Sequence, residues 1–600
     1  MQPEERVGAV YLGDRVTSFL LWAPRVERVE VCLGSDSGRT HAMEPAPYGY
    51  HRAVVEGAGP GDRYLFRLDG TVERPDPASR SQPDGVHGPS EIVDHAAFAW
   101  SDAGWAGIPL RRYVTYEVHM GTFTPEGTFD AAVGRLDELV DLGVTALEIM
   151  PVAAFPGSRN WGYDGVYPYA VQASYGGMHG LKRLVDECHR REMAVVLDVV
   201  YNHLGPEGNY LDDYGPYFTN KYHTPWGRAL NHDGAGSDDV RRFFIGSALS
   251  WFEDFHIDAL RLDAIHGILD MSARPFLQEL GAKTREASNR LGRTLALIAE
   301  SDLNDVRVLN PASEGGLGMD AQWSDDFHHA VHAALTGERN GYYCDFGSPG
   351  HVVTALNRGY VLAGEYSQFR RRRHGNSAAS IEPERFVVFV QNHDQVGNRL
   401  RGERLSTLVG FEELKLAAGL LLLSPYMPLL FMGEEYGETA PFQYFVSHSD
   451  PALIEAVREG RRQEFAALSG AGEGPDPQDD ATFLRSKLEA GWAHEGRRRT
   501  LRELYRELIG LRTSLGLPAP RSRVEARAER DRVLLRLSSG ERDALAIFNL
   551  GESSCEVPPE GQGWDLRLDS SDLGWGGPGS RWPVEVAPRS LMLLLAADAG

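Results

Sequence analysis

The stretch Asp258-Ala-Leu-Arg-Leu-Asp-Ala-Ile-His266 sets a guanidinium and a carboxylate inside an otherwise apolar run. Side chains of a strand alternate faces, so Arg261 and Asp263 share one side. A guanidinium beside a carboxylate favours its ionised form, which suits a nucleophile or a ligand. Taken alone, such a pair is better explained as a structural ion pair at a strand end. Other strand-like runs end in the same way. Ala194 to Val200 carries Asp198 and leads into Asn202 and His203. Thr294 to Ala299 ends in Glu300, Ala321 to Trp323 leads into Asp325 and Asp326, and Phe386 to Val390 into His393 and Asp394. Trp161, Tyr163 and Tyr169 crowd one aromatic loop that offers flat apolar faces.

Two carboxyl groups flanking a glycosidic bond are the usual machinery of sugar hydrolysis. Asp263, beside Arg261, suits the nucleophile. Glu300 closes the apolar run Leu295 to Ala299, where desolvation would raise its pKa and let it act as general acid. Asp394 would grip sugar hydroxyls as positive charge develops.

These ends meet only if the strands lie side by side. From about Val114 the sequence alternates strand-like and helical segments: strands at Val114 to Met120, Val144 to Met150, Ala194 to Val200, Ala259 to Ile265, Thr294 to Ala299, Ala321 to Trp323, Phe386 to Val390 and Pro428 to Met432. Helices are expected at Phe129 to Leu142, Leu181 to Arg191, Val240 to Phe255 and Pro275 to Arg290, with a long loop from Tyr201 to about Ser237. Eight such units predict an α/β fold, a (β/α)8 TIM barrel, whose active site lies at the C-terminal strand ends. Short β runs before and after it predict an N-terminal immunoglobulin-like β-sandwich over 1–95 and a C-terminal all-β sandwich over 518–600, leaving 96–517 to the barrel. Gly470 to Asp480 reads as an exposed loop, and Arg370 to Arg373 as a solvated one.

The 600 residues carry a net charge of −24, which disfavours nucleic acid and anionic membranes as partners and suits a neutral polyol. Cys32, Cys188, Cys344 and Cys555 lack metal-ligand spacing, no signal peptide is visible, and the apolar run from Leu420 to Met432 is broken by prolines. A cytoplasmic monomer is expected. Asn202, Asp212 and Asp213 are oxygen-rich enough to raise calcium, but scattered loop acids are usually solvated, so neither metal nor cofactor is expected.

The stretches Asp198-Val-Val-Tyr-Asn-His203, Asp258 to His266, Ala299-Glu-Ser301 and Phe389-Val-Gln-Asn-His-Asp394 resemble the four motif regions of the alpha-amylase superfamily of retaining glycosidases. The resemblance implies Asp263 as nucleophile, Glu300 as acid/base and Asp394 as transition-state stabiliser, with Arg261, Asp198, His203 and His393 around the sugar. Pro75-Asp-Pro-Ala-Ser79, Asn160 to Tyr169, Gln322 to His329 and Gly433 to Glu438 followed by Pro441-Phe-Gln-Tyr444 make the whole chain similar to the maltooligosyltrehalose trehalohydrolases. That implies cleavage of the α-1,4 bond beside the terminal trehalose of maltooligosyl trehalose or related α-glucans, with retention and a carboxyl separation of about 5 Å. Trp161, Tyr163 and His266 are further expected to touch substrate, with Asp325, Asp326, His328, His329, Gln395, Asn398 and Arg399 on the leaving-group side. Asp325 to His329 read equally well as a capped helix start. Branching, α-1,6 debranching and non-catalytic glycan binding are the competing readings.

Overall fold

The computed structural model describes residues 6–34, 39–469, 474–489, 495–538, 543–559 and 563–596. Eight parallel strands close into a barrel in strict chain order: β1 (Thr115–Val118), β2 (Ala146–Ile149), β3 (Ala194–Val199), β4 (Ala259–Leu262), β5 (Ala296–Ala299), β6 (Ala321–Trp323), β7 (Phe386–Val388) and β8 (Met427–Phe431). Closure is made by Thr115 opposite Leu429. All eight are buried, which is why they read as apolar runs rather than alternating ones.

The period of two sorts each strand into an inner and an outer set. Ala146, Ala194, Val196, Ala259, Ala296, Ile298, Ala321, Trp323, Val387, Met427 and Leu429 pack together in the barrel interior. Two residues further along, the same inward positions hold Glu148, Asp198, Arg261 and Glu300. The apolar layer thus seals the floor beneath a charged layer at the C-terminal mouth. Register completes the arrangement: Asp198 lies opposite Arg261, and Glu117 opposite Glu148.

The strands end earlier than the sequence suggests. β4 stops at Leu262, and Ala264 takes a left-handed backbone with φ 38° before a single turn at Ile265–Gly267. The expected helix over Phe129 to Leu142 is two, Phe129–Val133 and Leu136–Leu142. The break lets both apolar sets reach the core. The expected loop after Tyr201 contains a turn of helix, Leu211–Tyr214, and a hairpin, Phe218–Thr224 with Gly227–Leu230. Its polar residues hid the alternation.

Before the barrel, two antiparallel sheets face each other. One is built from Gly8–Gly13, Val16–Trp22, Tyr50–Glu56 and Glu44–Ala46, the other from Arg39–Ala42, Val29–Leu33, Arg63–Leu68 and Val72–Arg74. Phe19 of the first packs edge-on to Tyr64 and Phe66 of the second, at 5.1 and 6.4 Å. After the barrel, Val524–Glu529, Arg532–Ser538, Asp543–Asn549, Ser590–Leu595 and Asp565–Asp569 form a five-stranded antiparallel sheet. It rests on the helix Phe411–Leu422 at Gly419, where a Cβ would come within 2.4 Å of Leu591.

Gly470 to Asp480 differs from the expected exposed loop. Residues 470–473 lie outside those described, and the rest is tied down: Asp476 pairs with Arg458 at 2.7 Å, and Gln478 donates to the His448 carbonyl at 2.8 Å. Among the described residues no helix is long and apolar enough to cross a membrane.

Candidate active site

Arg261 is the hub of the mouth. It is fully buried and lies over Trp323, with its carbon centre 4.4 Å from a ring centroid. Its Nη1 donates to both oxygens of Asp198, at 3.1 and 2.9 Å, and to Oδ1 of Asp263 at 2.8 Å. Its Nη2 lies 3.9 Å from Oε2 of Glu300. One guanidinium therefore faces three carboxyl groups. Asp263 sits just past the end of β4, not within it. The ladder nevertheless continues one step, its N–H donating to the Val199 carbonyl at 3.0 Å, so the inward direction is kept. Asn202 donates to its other oxygen at 3.1 Å.

Glu300 follows β5 and accepts from the backbone N–H of Ala264 at 2.5 Å. The left-handed turn at Ala264 aims that N–H at Glu300, and holding a non-glycine residue there costs about 1 to 3 kcal/mol, a strain placed at the site itself. Burial raises the Glu300 pKa well above the carboxylate range. Arg261 opposes this, while Asp263, Asp325 and Asp394 push it further up. That shift favours the protonated form a general acid needs.

The third group, Asp394, is the second residue of the short helix His393–Gly397 and is half exposed to the cleft. Behind it runs a chain of contacts. Glu117 accepts from the backbone N–H of His393 at 3.0 Å and lies 2.5 Å from its Nδ1. Nε2 of His393 meets the Tyr163 hydroxyl at 2.7 Å, and that hydroxyl donates to Asp198 at 2.7 Å. Burial alone would lower the pKa of His393, but Glu117 and Asp394 bring it up to about 9, so the ring is cationic. Burial lifts Asp198 to about 7 against the pull of Arg261.

The mouth opens into a cleft of about 510 Å³ lined by Tyr163, His203, Trp226, Asp263, His266, Glu300 and Asp394 among others. A second hollow of about 540 Å³ adjoins it, lined by Tyr342, Tyr343, Gln395, Arg399 and Glu403. Asp394, Asn398 and Arg461 border both.

Most expected residues meet here, and some do not face the cleft. Trp161 is buried, stacks on Phe442 at 5.2 Å and donates to the Gln443 carbonyl, leaving only part of its ring at the cleft. Tyr169 is buried and donates to the Phe243 carbonyl. His203 packs its ring against Trp226 and uses its nitrogens on Asn202 and the Tyr163 carbonyl. Asp326 accepts from Asn304, Val361 and Leu362 at 2.7 to 2.8 Å, fastening two loops from within; burial, offset by these donors, leaves its pKa at about 6. His328 has both ring nitrogens engaged, by the Val390 carbonyl and the Tyr343 hydroxyl. His329 is buried against Tyr342 at 4.4 Å, and burial lowers its pKa to about 3. His328 and His329 thus brace the second hollow from behind, through Tyr343 and Tyr342, rather than line it. Asp325, by contrast, is raised to about 7 by burial and by Asp302 and Asp394. Gln395 accepts from Tyr342 at 3.1 Å, and Arg399 is forked onto Glu338 at 2.9 and 2.8 Å. Asp212 and Asp213 are partly exposed and paired with Arg228 and Arg74; of the arginine run, Arg370 pairs with Asp302 while Arg371, Arg372 and Arg373 are exposed as expected.

Sequence reasoning passed over Glu117, Glu148, Trp226 and Arg461. Glu117 and Glu148 carried the signal used for Arg261, a charge inside a buried strand. Trp226 and Arg461 reach the cleft from a hairpin and a distant helix, and nothing in their spacing says so.

Residues 79–226 match the alpha amylase catalytic domain family, and residues 6–80 match carbohydrate-binding module 48, the isoamylase N-terminal domain. A malto-oligosyltrehalose trehalohydrolase from Saccharolobus solfataricus is 49% identical over 510 residues, 85% of this chain and 87% of that protein. The chain belongs to the malto-oligosyltrehalose trehalohydrolase family. The Rhizobium sp. member is 47% identical over 86% of this chain and 87% of its own. A crystal structure of an alpha-amylase-like protein from Salmonella typhimurium superposes with a TM-score of 0.90 at 38% identity, covering 98% of this chain and 99% of that one. Membership of this glycoside hydrolase family agrees with the barrel, the N-terminal sheets and the carboxyl-lined mouth.

Proposed function

We propose that the protein hydrolyses the α-1,4-glucosidic bond next to the terminal trehalose of a maltooligosyl trehalose, releasing trehalose and a maltooligosaccharide by double displacement. The observation that carries this is Arg261 held between Asp263 and Glu300 at an open cleft. The two carboxyl groups differ in environment, as a nucleophile and an acid must. Glu300 protonates the glycosidic oxygen while Asp263 attacks the anomeric carbon, giving a β-linked glycosyl-enzyme and free trehalose. Glu300, now deprotonated, takes a proton from water as its oxygen attacks that carbon, freeing Asp263 and leaving an α-configured product. Asp394 faces the developing positive charge. Asp198, Tyr163, His203, His266 and His393 surround the ring being cleaved. Trehalose enters this reading through the family's substrate; Gln395, Asn398 and Arg399 line the second hollow, which this reading gives to the leaving group, with Asp325 near Asp394.

The reading extends to a monomer in the cytoplasm with units 1–95, 96–517 and 518–600. Its supports are a net charge of −24, which repels like copies, and four unpaired cysteines. Light scattering on the eluting protein checks the first point.

Product analysis after incubation with maltopentaose and, separately, with maltopentaose ending in trehalose tests the function. Rapid trehalose release from the second with slow attack on the first is expected. Longer or branched products from maltopentaose would make the protein a transferase.

A further inference from the structure

The helix Pro451–Ser469 belongs to no barrel unit, yet it walls the cleft through Leu453, Val457, Gly460 and Arg461. Its start is anchored by the buried Glu207, which accepts from the backbone N–H and hydroxyl of Ser449 and lies 3.1 Å from Nδ1 of His448. Further along, Arg461 lays its guanidinium over Tyr444, 4.7 Å from the ring centroid, and donates to Oδ1 of Asn398 at 3.1 Å and to the Gly397 carbonyl at 3.3 Å. Asn398 in turn donates from Nδ2 to Oδ1 of Asp394 at 3.2 Å.

A guanidinium has only donors, so it dictates which end of the Asn398 amide faces it. The oxygen must point to Arg461, and the NH2 must therefore point to Asp394. We infer that Arg461 is a positioning residue for Asp394, orienting through Asn398 the carboxylate that faces the reacting carbon. This rests on the role given to Asp394 above. Without Arg461 only the bond to Asp394 itself holds the amide in this orientation, so Asn398 and Asp394 can swing together toward solvent. Carboxylates that miss their position by a fraction of an ångström lose much of their effect on a transition state.

The test is a double-mutant cycle on maltooligosyl trehalose with Arg461→Ala, Asn398→Ala and the pair, and with Arg461→Lys as the conservative variant. Each single change is expected to lower kcat about tenfold, the scale of one hydrogen bond to a charged group, with KM little moved. The pair should cost no more than either change alone, and Arg461→Lys should recover part of the loss. Multiplying effects, or a rise in KM alone, would overturn the inference, because Arg461 would then act independently or touch sugar directly. Unchanged melting temperatures secure the comparison, and Arg461→Lys keeps it readable if the alanine variant folds poorly. Asp394→Asn separates the two levels. Full activity there overturns the role of Asp394 itself, whereas loss there with multiplying effects overturns only the positioning role.

Discussion

Replacing Glu117 by Gln removes the negative charge from behind His393 while keeping its size and an acceptor oxygen. In the native site burial works against the imidazolium, and Glu117 is the first of the groups that bring its pKa up to about 9. With that charge gone, desolvation should win and take the ring to its ordinary value of 6.5 or lower. A fall from about 9 to 6.5 is worth about 3 kcal/mol at 1.36 kcal/mol per unit. The ring nitrogens can be followed by NMR in protein carrying 15N-histidine, with His393 assigned by its loss in His393→Gln. The native resonance should titrate near 9, and in Glu117→Gln it should be neutral at pH 7. Activity at neutral pH should fall in parallel and recover partly on acidification, because the cation beside Asp394 and Tyr163 returns. A titration still near 9 in Glu117→Gln would refute the reasoning.

Asp326→Ala leaves buried donors on Asn304, Val361 and Leu362, each worth about 1 to 3 kcal/mol, so a large drop in thermal stability is expected with KM little changed. A raised KM with native stability would put Asp326 at the substrate after all. At the closed end of the barrel, His189 bridges Asp102 at 2.8 Å and Asp258 at 3.0 Å; burial opposes its charge, but the two carboxylates raise its pKa. Because the folded pKa lies above the unfolded one, the stability this contributes is full below about pH 6.5 and is lost as pH rises through the folded value. The melting-temperature gap between the native protein and His189→Gln should therefore be wider near pH 6 than near pH 9. Trp226, 43% exposed and packed on His203, should matter for holding sugar, so Trp226→Ala is expected to raise KM more than it lowers kcat.

The barrel was legible because buried parallel strands are apolar runs between helices, and charges at their ends stand out against that background. Asp198, Arg261, Asp263 and Glu300 were found in this way, and register then brings them together. Asp263 sits past the end of β4, since a left-handed Ala264 leaves no mark in composition. Asp326, His328 and His329 look chemical in the sequence, but the first two have their polar atoms engaged within the protein and His329 is buried against Tyr342, and a helix that follows a short strand gives no sign of which face is covered. Arg461 lies beyond the last barrel strand, so its meeting with Asn398 depends on how a charged surface helix folds back.

Proton NMR spectra recorded in the first moments of maltooligosyl trehalose hydrolysis test the catalytic assignment most directly. With Asp263 as nucleophile and Glu300 as acid/base, the anomeric signal of the newly freed maltooligosaccharide should be α first, with β growing only by mutarotation. A β signal appearing first would contradict the double displacement and the roles given to both carboxyl groups.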